Sequence, residues 1–227
     1  MGSKAQKEDL CHSTTLYESL MAAVNDKEYP LQEFEAIYSP KACSHQNIDA
    51  GSFACISMAG YRVTKGRVDP SDYPGKALFA KGMEEKIRVI LSTLISHGHT
   101  NIVLGALGCG AFAKDNTGIA VPHIPVDVAR AFNEVLNSTY IDGIPYAKHF
   151  QNIVFAILET PRQEFLNPIF KDTLRTASKT STVVSIQPTP LQYAATSNAT
   201  GFDTSSANVE RLFKQQTKFL HYLVELT

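Results

Sequence analysis

The residues best suited to chemistry form a short loop of Gly108, Cys109, Gly110, Ala111 and Phe112, the glycine loop (residues 108–112). It follows an apolar run over residues 101–107 that predicts a buried strand. Open α/β sheets place ligands at the carboxyl ends of their strands. Glycines at such an end let backbone N–H groups approach a phosphate closely. The loop therefore predicts an anion site, although a tight turn packed against the sheet explains the same glycines.

The side chains of the loop and its surroundings have alternative interpretations. Phe112 could flank a ribose or fill the core. Cys109 could be a nucleophile, but no Cys-His arrangement is readable from the spacing, which favours a small buried filler. His123 has no second ligand at metal spacing, so a zinc site is not predicted. We expect neither a metal nor a cofactor.

The elements that must position this loop alternate along the chain. Apolar residues at helical spacing predict helices over residues 8–24, 74–97 and 126–136. Apolar or β-branched runs predict further strands over residues 34–39, 52–63 and 153–158. Gly98 suits a left-handed helix end, and Pro125 suits a first helical turn. The strand, loop, helix and strand order, with continuous apolar strands, predicts an α/β fold whose parallel sheet is covered on both faces.

The composition changes after residue 177, which predicts three units. Residues 1–177 would form the main domain, and residues 178–208, rich in Ser and Thr, a linker or wrapping segment. Residues 183–186 could still pair as an edge strand. Residues 209–227 have the spacing of an amphipathic C-terminal helix. In the helix over residues 74–97, the charged residues are expected to form a solvated face: Lys81, Glu84, Glu85, Lys86 and Arg88.

Overall composition excludes several classes of protein. The chain has 227 residues, 44% of them hydrophobic, and a formal net charge of −1, so bulk electrostatic binding to nucleic acid is not expected. No apolar run approaches the roughly 20 residues of a membrane span. The four cysteines form no C-x-x-C pair, which favours reduced thiols in a cytoplasmic or nuclear protein.

Residues 101–112, Asn-Ile-Val-Leu-Gly-Ala-Leu-Gly-Cys-Gly-Ala-Phe, resemble the hallmark loop of the microbial-type poly(ADP-ribose) glycohydrolases of bacteria and fungi. Further matches come in the family's order, at residues 5–17, 36–40, 55–61, 86–91 and 150–158. The resemblance covers roughly residues 5–174, and the combination in this order is specific. It implies a three-layer α/β/α macrodomain-like fold with a mixed, largely parallel central sheet.

The resemblance also implies a function and a set of site residues. The glycine loop would hold the diphosphate of ADP-ribose or poly(ADP-ribose), with Gln6 and Ser57 among the other binding residues. Glu8 matches the second Glu of the family's Gln-Glu-Glu motif and would act as general acid on the ribose–ribose glycosidic bond. Neither a membrane nor a specific nucleic-acid sequence is an expected partner.

Two departures from the family pattern set the alternatives. Lys7 replaces the first Glu of Gln-Glu-Glu, and a nearby positive charge weakens a carboxyl group as a proton donor. The family's Gly-Gly-Gly loop and the strand before it have no counterpart ahead of residue 5, so we expect a truncated domain with an uncovered sheet edge. Residues 183–186, the C-terminal helix or a second copy of the chain in a homodimer would cover that edge. The expected function is a glycohydrolase of weak or no activity; the alternatives are an ADP-ribose-binding module and an interaction subunit.

Overall fold

A computed structural model describes residues 6–26, 31–45, 51–63, 73–115, 117–158, 166–174 and 181–186 of the chain. The helices are α1 (Gln6–Ser13), α2 (Leu16–Asn25), α3 (Lys76–Ser96), α4 (His123–Ser138) and α5 (Leu166–Leu174). The strands are β1 (Ile37–Cys43), β2 (Ser52–Ser57), β3 (Asn101–Leu104), β4 (Tyr140–Ile141), β5 (Ile144–Pro145), β6 (Asn152–Leu158) and β7 (Ser181–Ile186). None of the helices within these ranges has the length and apolar character that crossing a membrane requires.

A parallel sheet of order β3-β6-β7 lies at the centre of the structure. Leu104 of β3 pairs with Phe155 of β6, and Ile157 of β6 pairs with Ser185 of β7, both in parallel register. Helix α4 comes between β3 and β6 along the chain, so the predicted βαβ unit is present. The strand pairs β1–β2 and β4–β5 are antiparallel and form separate sheets. The prediction of an α/β fold with a parallel sheet is confirmed.

Alternate residues of β3 and β6 belong to two separate hydrophobic clusters. Phe155 lies in the main cluster and contacts Phe132 of α4 and Phe170 of α5, with ring centroids 5.1 and 5.8 Å apart. The second cluster consists of Val103, Val154 and Ala156. Because successive residues of a strand point to opposite faces, both faces of this sheet are buried, as the continuous apolar runs predict.

The helix predicted over residues 8–24 is wrong in one respect, because the chain breaks it into α1 and α2. Buried Thr14 causes the break: its hydroxyl donates to the carbonyl of Leu10 at 2.8 Å and accepts the N–H of Leu16 at 3.2 Å. Thr14 also forms an antiparallel bridge with Ser44. A Thr side chain that bonds to the backbone competes with helical hydrogen bonding, so the helix restarts at Leu16.

The strand predicted over residues 34–39 begins later and continues through Pro40 as β1. Its register with β2 shifts between Ser39 and Ala42. A bulge of this kind accommodates a proline, which has no N–H for the ladder. The third predicted helix also differs, since α4 already begins at His123; Pro125 nevertheless lies in its first turn. Gly98 has φ of 75°, which confirms the left-handed residue expected after α3.

Strand β7 confirms that residues 183–186 pair with the sheet, beginning at Ser181. Part of the segment predicted as a linker is therefore the third strand of the parallel sheet. Which element covers the edge expected from the absent N-terminal strand stays a prediction, as does a homodimer. Residues 187–227, which include the predicted C-terminal helix, lie outside the described residues. The predicted boundaries of the three units therefore stay predictions.

The solvated face predicted for α3 is wrong at Lys86. Arg88 pairs with Glu84 at 3.3 Å and with Glu85, and all three side chains are partly exposed, as expected. Lys86, however, is only 1% exposed. Residues three and four positions apart share a helix face, and this places Lys86 in the buried stripe with Met83 and Ile90.

Candidate phosphate-binding loop and catalytic helix

The glycine loop follows the carboxyl end of β3, and the residues around its first glycine are buried. Leu107 and Cys109 on either side of Gly108 are 0% and 3% exposed. The N–H of Cys109 donates to the carbonyl of Ala106 at 3.0 Å, which closes a tight turn. Gly108 has φ of 69° in this turn, a conformation that favours glycine. The first glycine of the loop is therefore required by the backbone conformation.

A second glycine, Gly60, lies directly against the loop. An added Cβ at Gly60 would come within 2.8 Å of the Cα and 2.9 Å of the N of Gly108. Atoms of the backbone cannot move aside as the end of a flexible side chain can, so any side chain at Gly60 would displace the loop. The segment that follows β2 thus sets the position of the glycine loop by backbone contact.

Further hydrogen bonds join these two segments. The N–H of Val63 donates to the carbonyl of Phe112 at 2.9 Å, which joins the segment to the end of the glycine loop. The segment is itself held to residue 73, whose N–H donates to the carbonyl of Arg62 at 3.0 Å. Gly60 and Val63 therefore hold the glycine loop at its beginning and at its end. Sequence analysis did not assign this role to residues 60–63; a glycine just after a buried strand run was the signal of a close backbone approach.

The backbone N–H groups of the loop differ in their use. That of Cys109 is engaged inside the turn, as described above. Ala111, which is exposed, and Phe112 begin a 3₁₀ turn (Ala111–Ala113), so their N–H groups have no acceptor inside that turn. Backbone N–H groups that a turn leaves without an acceptor of its own are suitable donors to an anion, so these two are the candidate donors of the loop. The predicted cradle thus narrows to the second half of the loop, with Gly108 and Cys109 shaping it.

The two side chains with alternative interpretations are both buried. Cys109 is 3% exposed, and its Sγ lies 3.6 Å from the carbonyl oxygen of Leu107, which is consistent with a filler. Phe112 is 9% exposed. Little of this residue is therefore accessible to a ribose.

Residues 113–124, after the loop, form a compact extension. Val121 donates to the carbonyl of Ala113 at 2.7 Å, and Lys114 forms an antiparallel bridge with Ala120. At its tip, Asp115 accepts from the N–H groups of Thr117 and Ile119. The hydrogen bond from the Thr117 hydroxyl, followed by those from the backbone, lowers the pKa of Asp115. Hydrogen bonds within the extension thus stabilise the path of the chain from the glycine loop to α4.

The predicted catalytic motif lies at the start of α1. Gln6 and Glu8 are in the first two turns of this helix, and their side chains lie outside the described part of the structure. The C-terminal end of α1 is tied to the end of β1, because the N–H of His45 donates to the carbonyl of Ser13 at 2.8 Å. Leu10, 2% exposed, packs in the core.

Strand β2 carries Ser57, one of the predicted binding residues. Burial raises the pKa of Cys55 to about 12; a hydrogen bond with Ser57 lowers it, and Cys11, one turn after Glu8, raises it further. Ser57 is the last residue of β2 and is 5% exposed. Gly60, which lies against Gly108, follows three residues after the end of β2. Among the described residues, no three His, Cys, Asp or Glu side chains are grouped as metal ligands.

Beside the loop lies a polar cluster that sequence analysis missed: Glu33, Phe34, Tyr61 and Lys86, the lysine cluster. The Tyr61 hydroxyl donates to the Glu33 carboxylate, and Lys86 Nζ donates to the Glu33 backbone carbonyl. Burial lowers the pKa of Lys86 to about 8, opposed by the charge of Glu33. Burial, followed by the hydrogen bond to Glu33, raises the pKa of Tyr61. The spacing of Lys86 from Met83 and Ile90 was the available signal.

Comparison with solved structures identifies what this arrangement is similar to. Poly(ADP-ribose) glycohydrolase from Deinococcus radiodurans in complex with ADP-ribose, in one crystal form, is 28% identical, with a TM-score of 0.53 over 76% of this chain and 68% of that chain. A second crystal form gives 25% identity and a TM-score of 0.50 over 77% and 69%. The Thermomonospora curvata enzyme bound to the inhibitor ADP-HPD gives 25% identity and a TM-score of 0.54 over 75% and 63%.

The similarity extends over most of this chain but over a smaller share of the enzymes. The chain spans less than two thirds of the length of the Thermomonospora curvata glycohydrolase. No protein-family model and no curated protein matches the sequence. The resemblance to microbial-type poly(ADP-ribose) glycohydrolases predicted from the sequence is confirmed by these structures, as is the macrodomain-like α/β fold.

Proposed function

From this similarity, we propose that the chain binds ADP-ribose, or an ADP-ribose end of poly(ADP-ribose), with the diphosphate at the glycine loop. The observation that carries the proposal is the contact of Gly60 with Gly108, where an added Cβ would lie 2.8 Å from backbone. It fixes a turn whose next N–H groups, those of Ala111 and Phe112, begin a 3₁₀ turn. N–H groups fixed before the ligand arrives bind an anion at a lower entropic cost.

The proposed reaction is hydrolysis of the ribose–ribose glycosidic bond. Glu8 gives its proton to the leaving oxygen as the bond to the anomeric carbon breaks, and the oxocarbenium-like centre is attacked by water. The carboxylate left on Glu8 takes the proton released by that water. Gln6 and Ser57 would contact the ribose side of the ligand. A cytoplasmic or nuclear location is part of the same proposal, supported by the four cysteines, which form no C-x-x-C pair in the sequence.

The second candidate function is an ADP-ribose-binding module with little or no hydrolysis. Lys7 favours it, because the family has a carboxylate at this position and a positive charge next to Glu8 favours the ionised form of the acid. Binding would be retained, since the glycine loop acts through its backbone. The two candidates share a ligand and differ only in turnover.

Two experiments test the proposal in sequence. Isothermal titration with ADP-ribose should give saturable heat, together with a rise in the thermal unfolding temperature. The absence of both signals would exclude enzyme and binding module alike. Release of ADP-ribose from a poly(ADP-ribosyl)ated protein is then compared for the wild type and Glu8→Gln.

If Glu8 is the general acid, Glu8→Gln should lower the release rate by about 100-fold or more. Glu18→Gln, on the exposed face of α2, is the matched control and should retain the wild-type rate. Binding without release in the wild type would select the binding module. Equal rates for wild type and Glu8→Gln would remove Glu8 from the mechanism.

A further inference from the structure

The lysine cluster contains a charged residue, Lys86, that is buried in the core. Lys86 is 1% exposed and occupies the buried stripe of α3. Lysines are almost never fully buried without a partner that compensates for lost hydration. Its partners within the described residues are a backbone carbonyl, that of Glu33, and two aromatic rings, those of Tyr61 and Phe34 at 4.7 and 5.5 Å from Nζ.

Tyr61 is held from two sides in this cluster. Its hydroxyl donates to the Glu33 carboxylate, while its ring faces the ammonium group of Lys86. A cation over an aromatic ring is an attractive contact that strengthens when both partners are desolvated. Tyr61, itself 1% exposed, therefore has a defined ring position and a defined hydroxyl direction.

Helix α3 is shaped to receive this tyrosine. An added Cβ at Gly82 would lie 2.0 Å from the Tyr61 hydroxyl oxygen and 2.8 Å from its ring carbon Cζ. Gly82 and Lys86 are four residues apart, so they share one face of the helix. The glycine leaves room for the hydroxyl, and the lysine one turn later contacts the ring. A glycine inside a helix is otherwise destabilising, which makes this space a specific feature.

The cluster is continuous with the glycine loop through the backbone of Tyr61. The position that a Cβ would take at Gly108 lies 3.6 Å from both the N and the O of Tyr61. Gly60, the preceding residue, makes the close contact with Gly108 described above. A shift of the Tyr61 side chain would therefore move the segment that holds the glycine loop.

We propose that Lys86 is a positioning residue: it fixes Tyr61 against α3 and thereby sets the glycine loop in the geometry that binds a diphosphate. The effect on the loop is independent of the proposed function, whereas the effect on diphosphate binding rests on it. A buried ammonium group loses hydration that an apolar side chain of similar size never had, so removing the charge also removes that cost. A purely structural role and a positioning role therefore predict different results for Lys86→Met.

The first experiment measures amide hydrogen exchange of residues 105–113 in the ligand-free protein, with thermal unfolding in parallel. Lys86→Met should speed exchange in this segment by about tenfold or more, while the unfolding temperature of the protein stays level or rises because the desolvation cost of the charge is gone. Tyr61→Phe, which loses the bond to Glu33, should speed the same segment. A loss of stability with uniformly faster exchange, or unchanged exchange in residues 105–113, would overturn the proposal.

The matched control is Tyr146→Phe. Tyr146 is also buried, and its hydroxyl forms a hydrogen bond of 2.8 Å with Ser92 of α3, the helix that carries Lys86. Its removal deletes a comparable hydrogen bond six residues after Lys86 in α3 and should leave exchange in residues 105–113 within about twofold of the wild type. If Lys86→Met does not fold, Tyr61→Phe against Tyr146→Phe decides the question.

The second experiment titrates ADP-ribose into the same proteins. Lys86→Met and Tyr61→Phe should weaken binding by about tenfold, and Tyr146→Phe by less than about twofold. A wild type that binds no ADP-ribose would reject the proposed function, while hydrogen exchange would still test the positioning of the loop. Faster exchange with unchanged affinity would show that Lys86 does not serve the diphosphate site.

Discussion

The glycine loop and the start of α1 are held by the fold in different ways. The loop is enclosed by buried neighbours and by the backbone of Gly60. Helix α1 is tied down at its C-terminal end, through Leu10 and the carbonyl of Ser13, whereas Gln6 and Glu8 precede these anchors. Binding by backbone N–H groups depends on chain geometry, but proton transfer depends on one side chain and its neighbours. Under the proposed function, ligand binding should therefore tolerate sequence change in this chain better than catalysis does.

Gly60→Ala should have the largest effect, because it attacks the geometry of the loop itself. Its Cβ would meet backbone atoms of Gly108, and relief requires a shift of the loop. We expect ADP-ribose affinity to fall by about 100-fold, which corresponds to about 3 kcal/mol. Isothermal titration measures it. Gly51→Ala is the control: it also replaces a glycine, at φ of 78°, but meets no atom within 4 Å and should leave affinity unchanged.

The charge of Lys86 should appear in the pH dependence of stability. Burial lowers its pKa from 10.5 to about 8, so between these values the unfolded chain holds a proton that the folded chain has lost. The free energy of unfolding then rises with pH, and across this window the wild type should gain up to about 3 kcal/mol relative to Lys86→Met. Chemical denaturation at several pH values measures the difference.

The wild type has to be compared with Lys86→Met because other groups make the free energy of unfolding fall, not rise, with pH. Burial raises the pKa values of Cys55 and Tyr61 above those of the unfolded chain, so stability from these groups is lost at high pH. Cys55 is unchanged in Lys86→Met, and its contribution cancels. Parallel curves for the two proteins would mean that Lys86 carries no buried charge.

Lys7→Glu tests the other region. The substitution restores the Gln-Glu-Glu pattern and replaces a positive neighbour of Glu8 by a negative one, which favours a protonated acid. The rate of ADP-ribose release should rise by about tenfold, with ADP-ribose affinity changed much less. Lys81→Glu, at an exposed position of α3, makes the same change in net charge and should have no effect. An equal gain from both variants would indicate general electrostatics.

Cys109→Ala should have the smallest effect. The thiol is buried, and the backbone N–H that shapes the turn remains bonded to Ala106. Affinity for ADP-ribose should stay within about twofold of the wild type, with a modest loss of thermal stability from the vacated volume. A much larger loss of affinity or of activity would assign the side chain a direct role and contradict the idea that this loop acts through its backbone.

The sequence predicts the parts of the fold that depend on local pattern. Continuous apolar runs indicated the parallel strands β3 and β6, and Gly98 indicated the end of α3. The break at Thr14 was not predicted, because apolar spacing continues across it and a tertiary bridge to Ser44 helps to end the helix. The strand through Pro40 was missed for a similar reason, since only pairing with β2 reveals the bulge.

The candidate site was predictable to a similar degree. Glycines after β3 were sufficient to propose the loop, because glycine adopts backbone conformations that other residues rarely adopt. Its support by Gly60 and Lys86 was not predicted, since these residues are distant in sequence and only packing brings them to it. Lys86 shows most clearly where prediction from residue type fails. A lysine is expected at the solvent-exposed face, whereas its helical position relative to Met83 and Ile90 indicated the core.

Strand β7 has a consequence for how the chain is made. Ile153 to Leu158 of β6 pair along one edge with Ser181 to Ile186, which leave the ribosome after the glycine loop and Glu8. At 5–20 residues per second, a nascent chain therefore passes through an interval on the order of seconds in which that edge has no ladder partner. Unpaired strand edges can pair with other chains, so a nascent chain is open to misassociation at β6 during this interval.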